Sequence, residues 1–107
     1  MNPDRFENLR LELRRGSLIL AVLAELRVER YGYTLRKALE DHGLPMDEST
    51  LYPLLRRLEA QGLLQSEWRE EDKRNKRYYR LTPEGQDMLG QLTAEWRGIG
   101  RSLDQIL

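Results

Sequence analysis

The sequence has no cysteine, one histidine, one phenylalanine and two tryptophans in 107 residues. Without cysteine it forms no disulfide, no thiolate metal site and no thiol nucleophile. A lone histidine, His42, excludes a multi-histidine metal centre. The adjacent carboxylates Asp47 and Glu48 have no nucleophile or base beside them of a kind known to do chemistry. No enzyme, cofactor or metal is therefore expected. Charge of one sign is missing as well: 18 Lys and Arg balance 18 Asp and Glu. Whole-chain attraction to nucleic acid is excluded, and any basic surface must be local. Long apolar runs are absent too. The longest, residues 18–24, is far too short to span a bilayer, and the polar first eight residues do not read as a signal peptide. A soluble, cytoplasmic protein with no membrane partner is expected. A chain this short has room for one modest core, and oligomerisation is the support left open to it.

What is present concentrates in residues 47–85. Leu51, Leu54, Leu55 and Leu58 fall at i, i+3, i+4 and i+7, one apolar stripe of a helix. The opposite face carries Ser49, Tyr52, Pro53, Arg56 and Ala60, with Thr50 and Arg57 at its edge. Such a helix can bury one side and lay the other in a DNA major groove. Asp47, Glu48 and Ser49 all offer N-caps. Ser49 is preferred, because it leaves Pro53 near the first turn, where a proline costs least. Gly62 ends the helix. Residues 63–69 and 76–81 then read as two strands joined by a loop of about seven polar residues, too long for a tight turn. Lys73, Arg74, Lys76, Arg77 and Arg80 make the local basic run.

Before this stretch, apolar residues become dense over residues 9–27, and the last part is apolar almost all round, which describes a helix buried on more than one side. Gly16 and Ser17 mark a bend or a start within it, and either Asn8 or Ser17 can cap it. Residues 31–33 form a break, and 34–42 a short helix stopped by Gly43. After the stretch, Thr82-Pro83-Glu84 is a helix start, with Thr as cap and Pro in the first helical position. Leu89, Leu92, Trp96, Ile99, Leu103 and Ile106 follow at spacings of 3, 4, 3, 4 and 3, a heptad seam larger than one small domain needs. The expected architecture is mainly α with a two-stranded β wing: a winged helix-turn-helix over residues 1–82 and a long C-terminal dimerisation helix over 83–107.

At this point the chain closely resembles the PadR-like transcriptional regulators, of the small kind with a single C-terminal helix. The matching strings are residues 12–16, 31–35, 50–59 and 62–64, then Trp68, Arg77-Tyr78-Tyr79 and Leu81-Thr82-Pro83-Glu84-Gly85. Residues 50–59 are the most specific of these. The resemblance implies a homodimeric DNA-binding repressor on a pseudo-palindromic operator, dimerised by its last helix with help from the first. In some members of this kind flat aromatic molecules bind between two tryptophans, one from each subunit, and Trp96 matches that position. The chain departs from the pattern in the acids Asp47-Glu48 before the reading helix and Glu70-Glu71-Asp72 before the basic run.

DNA contacts are thus expected from Tyr33, Ser49, Thr50, Tyr52, Pro53, Arg56 and Arg57, and from Lys73, Arg74, Lys76 and Arg77. Arginine can hold guanine bidentately or hold phosphate. The bland alternative is a solvated helix face paired with Glu48 and Glu59, and a loop balanced by its own acids. Leu89, Leu92, Trp96, Ile99, Leu103 and Ile106 are expected at a dimer interface, with Trp96 also a ligand contact. Trp68 reads as hairpin core, and His42 as a helix C-terminal cap. The competing function is a winged-helix protein-interaction module without a specific operator.

Overall fold

The computed structural model describes residues 3–107; Met1 and Asn2, the start of the polar N-terminal stretch, lie outside the described residues. The order is α1 (Pro3–Glu25), β1 (Arg30–Tyr31), α2 (Gly32–Asp41), α3 (Glu48–Ala60), β2 (Leu64–Glu71), β3 (Arg74–Leu81) and α4 (Pro83–Ile106). No described helix is long and apolar enough to cross a membrane.

The core is built almost entirely of leucine. Val22, Leu23 and Leu26 enter it from the C-terminal end of α1, Leu35 and Leu39 from α2, and Leu51, Leu54, Leu55 and Leu58 from α3. Leu63, Leu64 and Tyr79 close it from the hairpin, and Leu89 from α4. Each buried leucine contributes about 2 kcal/mol, so the stripe of α3 is among the main anchors of the domain. No charged residue is buried among the described residues.

The helices differ from expectation at their starts. The first begins at Pro3 and runs through Gly16 and Ser17 without a break. Its C-terminal end packs into the core, and the Ser17 hydroxyl donates back to the Arg14 carbonyl at 2.6 Å. Helix α2 starts two residues early, at Gly32, because Thr34 Oγ1 accepts from the Tyr31 amide at 3.0 Å. The cap of α3 is Asp47 rather than Ser49: its carboxylate accepts from the Thr50 amide at 2.9 Å and from the Ser49 hydroxyl at 2.8 Å. Pro53 therefore lies in the second turn, where its missing N–H leaves the Ser49 carbonyl without a helical partner.

Helix α3 ends as expected at Gly62, whose φ of +78° lets the Leu63 amide reach back to the Leu58 carbonyl at 3.0 Å. The strands depart from expectation more strongly. The sheet has three strands, in the order β1-β3-β2, all antiparallel. Arg30 and Tyr31 pair with Tyr79 and Tyr78, and two residues are too few to show alternation in a sequence. The long loop is in fact ladder: Trp68 faces Arg77, Arg69 faces Lys76, and Glu71 faces Arg74. Only Asp72 and Lys73 turn the chain, both left-handed at φ 52° and 65°, as a primed two-residue turn requires.

Helix α4 is capped by Thr82, whose hydroxyl accepts from the Gly85 amide at 3.0 Å. Gly85 lies against the Leu63 carbonyl so closely that a Cβ would collide with it. This glycine thus seats the helix on the base of the hairpin. The first half of α4 belongs to the core: Leu89 is 2 % exposed, so it is a residue of its own subunit's interior rather than of an open seam. Leu92 packs against that core from its edge. Beyond it the seam emerges, with Trp96, Ile99, Leu103 and Ile106 exposed, and Phe6, Leu9 and Leu13 exposed on α1.

Candidate nucleic-acid interface

Burial of its leucine stripe leaves α3 with an exposed face. Ser49, Thr50, Pro53, Arg56 and Arg57 are all exposed on it. The Ser49 hydroxyl and the Thr50 amide hold the Asp47 carboxyl below its usual range, so this acid is spent on the helix cap. Glu48 is engaged as well, by Arg36 of α2 at 2.8 Å. Glu59, at the other end, binds Arg77 at 3.0 Å. Neither expected acidic partner is left for the helix arginines, and Arg56 and Arg57 make no ion pair among the described residues. A helix N-terminus with hydroxyls, followed by two unpaired guanidiniums, can hold phosphate and base edges.

Tyr52 is only half exposed. Its hydroxyl stands 2.7 Å from where a side chain on Gly32 would begin, so the ring braces α3 against the start of α2. Tyr33 is exposed at the first turn of α2 and stacks on Tyr31 at 6.5 Å.

The wing cations fall into two groups. Lys73 and Arg74, at and beside the turn, are exposed. The other two are tied down. Lys76 pairs with Glu71 at 3.5 Å and lies 4.6 Å over the Tyr31 ring. Arg77 donates to Glu59 and, at 2.9 Å, to the Ser66 hydroxyl, while Ser66 donates to Glu59 at 2.7 Å. Expected as a phosphate contact, Arg77 is placed as a strut between α3 and both long strands. On the other face of the sheet Arg69 lies 4.3 Å over the Tyr78 ring and pairs with Glu29 and Glu67, which raises its pKa. The Tyr78 hydroxyl donates to Glu71 at 2.8 Å, which holds its pKa above the usual tyrosine value.

Trp68 is not hairpin core: it is 64 % exposed. Alternation puts it beside Ser66 and opposite Arg77, on the face that looks at α3. Sequence reasoning missed the Glu59–Ser66–Arg77 network and the exposure of this indole. The one available signal was that Ser66 and Glu70, on either side of Trp68 along its face, are polar, so the core ends before it.

His42 stands at the C-terminal cap of α2, as expected, with its ring against the Glu25 carboxylate. Trp96 lies with Ile19, Leu20, Leu92 and Ile99 around an apolar groove of about 220 Å³ between α1 and α4. No cluster of possible metal ligands occurs among the described residues.

Comparison with known proteins agrees with this geometry. The sequence model of the transcriptional regulator PadR-like family matches residues 19–91. A curated transcriptional regulator of Mycobacterium tuberculosis is 49% identical over 79 residues, covering 74% of this chain and 71% of that protein. The crystal structure of a PadR family transcriptional regulator from Eggerthella lenta superposes with a TM-score of 0.91 at 46% identity, over 96% of this chain and 92% of that one. A transcriptional regulator from Clostridium thermocellum superposes at 0.79 with 28% identity, over 88% and 96%.

Proposed function

We propose, from the premise that this chain belongs to the PadR-like family of transcriptional regulators, that it is a cytoplasmic homodimeric repressor reading a pseudo-palindromic operator in double-stranded DNA. Each subunit lays α3 in a major groove, with half-sites about 10 bp or a multiple of that apart. Residues 1–82 form the reading unit and 83–107 the dimerisation helix. The observation that carries this reading is the pair of unpaired arginines, Arg56 and Arg57, on the exposed face of α3. Ser49, Thr50 and Pro53 supply the near end of that surface, Tyr33 and Tyr52 its border with α2, and Lys73 and Arg74 its outer edge. Lys76 and Arg77 act mainly by shaping the wing.

The exposed ends of α4 and α1 support the dimer, because an apolar stripe of this size is costly to leave in water. Ile99, Leu103 and Ile106 meet the partner directly; Leu89 and Leu92 support them from the subunit's own core. Trp96 and its groove fit a flat aromatic effector. Such a molecule changes operator affinity only if it binds two arrangements of the dimer unequally.

The test is fluorescence anisotropy of DNA from upstream of the protein's own gene against a scrambled duplex, at two salt concentrations. Preferential, salt-sensitive binding is expected. No binding even at low salt would favour the competing reading, a winged helix used for protein contact, which the zero net charge suits. Quenching of Trp96 by flat aromatic compounds, lost in Trp96→Ala, tests the effector.

A further inference from the structure

We infer that Trp68 is a DNA-contacting residue, an uncharged seat for the sugar–phosphate backbone in the angle between α3 and the wing. The inference rests on the proposed DNA reading and adds a contact to it. An indole on a hairpin of two eight-residue strands stands 64 % exposed when the leucine core is a few residues away. A side chain of this size is normally buried against something.

Its position says what that something is. The Trp68 face of the sheet is the face whose Arg77 and Ser66 are bound to Glu59 of α3. The indole therefore stands on the side of the wing that faces α3, the helix that bears Arg56. With α3 in a major groove, the backbone bordering that groove runs through this angle. The chemistry there suits a sugar and its phosphate. The Arg77 guanidinium lies 5.6 Å from the ring centre and fixes one side of the indole, but Glu59 neutralises its charge. The open side is apolar, matching deoxyribose, and the indole N–H can donate to a phosphate oxygen. Glu70, the next residue outward on this face, repels phosphate and confines the contact to the helix side of the wing. A protein partner would also cover an indole, but it has no reason to occupy the one angle that DNA held by α3 must cross.

The contact differs from a lysine or arginine in a measurable way. Being neutral, it releases no counterion, so its loss should leave the salt slope unchanged. Trp68→Ala is expected to bind a mixed-sequence duplex and an operator-bearing one about tenfold more weakly in both cases, with parallel salt plots. In the wild type, duplex should shield an indole from acrylamide; in Trp68→Phe, where Trp96 is the only tryptophan, that shielding should vanish. Circular dichroism and melting of both variants should match the wild type, since the side chain is mostly exposed.

Unchanged affinity in a well-folded Trp68→Ala, with shielding unaltered in Trp68→Phe, would overturn the inference and leave the DNA reading standing. A loss confined to the operator would assign Trp68 to base reading and would also overturn it. Failure of the wild type to bind either duplex at low salt would remove the DNA reading and this inference together.

Discussion

The outward face of α3 and the wing carry the same kinds of residue in opposite electrostatic conditions. On α3 the acids are withdrawn: Asp47 caps the helix, Glu48 holds Arg36, and Glu59 holds Arg77. Arg56 and Arg57 are left with their charge available. On the wing the cations are met by carboxylates: Glu29 and Glu67 hold Arg69, Glu71 holds Lys76 and Glu59 of α3 holds Arg77, and each lies near an aromatic ring. Among the described residues, Lys73 and Arg74 at the tip and Arg80 near the base of β3 make no ion pair. A cluster of Lys and Arg in a sequence is therefore not yet a basic surface. What matters is where each nearest carboxylate goes, and here the fold divides them so that the helix offers charge and the wing offers shape. This also explains how a chain of zero net charge can present a helix face with unpaired cations.

The largest expected effect acts on both regions at once. Ile99→Asp combined with Leu103→Asp places charge in the exposed seam without touching the subunit core. Monomers are expected by light scattering. Affinity for a duplex holding two half-sites should fall by about a hundredfold or more through loss of linked binding. A stable dimer would move the interface elsewhere. Next comes Arg56→Ala, which should cost about 1–3 kcal/mol of specific affinity and relax preference at one base position. Unchanged operator affinity would remove the contrast between helix and wing at its stronger end. Glu59→Gln tests the weaker end. It keeps a hydrogen-bonding group for Ser66 but frees the charge of Arg77, so affinity for any duplex should rise and the salt slope steepen by about 0.9. An unaltered slope would mean that Arg77 is held by Ser66 and the aromatic rings without help from Glu59.

Much of α3 was legible because its determinants are local. Four leucines at helical spacing define the buried face, and the stop at Gly62 and the start at Thr82-Pro83 are single-residue signals. The outward arginines follow from that face by rotation alone. The wing was legible only as two runs of strand formers. Its outer ladder is built from charged pairs such as Glu71 with Arg74, which do not alternate in hydropathy. Its turn uses Asp72 and Lys73 in left-handed conformations without the glycine that usually announces them. The strand β1 is two residues long. The state of Arg77 depends on Glu59, 18 residues away, and no local pattern reports such a pairing. Trp68 was misread for a related reason: an aromatic residue in a half-apolar strand reads as core unless its cross-strand neighbours are known.

The smallest effect tests whether the acid at the start of α3 serves the helix rather than opposing DNA. The Asp47 carboxyl is held below its usual value of 3.8 by the Ser49 hydroxyl and the Thr50 amide. A group depressed on folding stabilises the folded state above its unfolded value, and the benefit is lost as pH falls through the lower folded value. Asp47→Ala should therefore melt below the wild type at neutral pH, and the gap should close as the solution is taken below about pH 4. A gap that persisted in acid would assign the loss to packing instead of to the charged cap. The same variant removes a negative charge beside the proposed phosphate path. If Asp47 also opposed DNA, its loss would tighten binding to every duplex even as stability falls. If the cap is its whole role, the frayed helix should bind more weakly, and operator preference should fall with it.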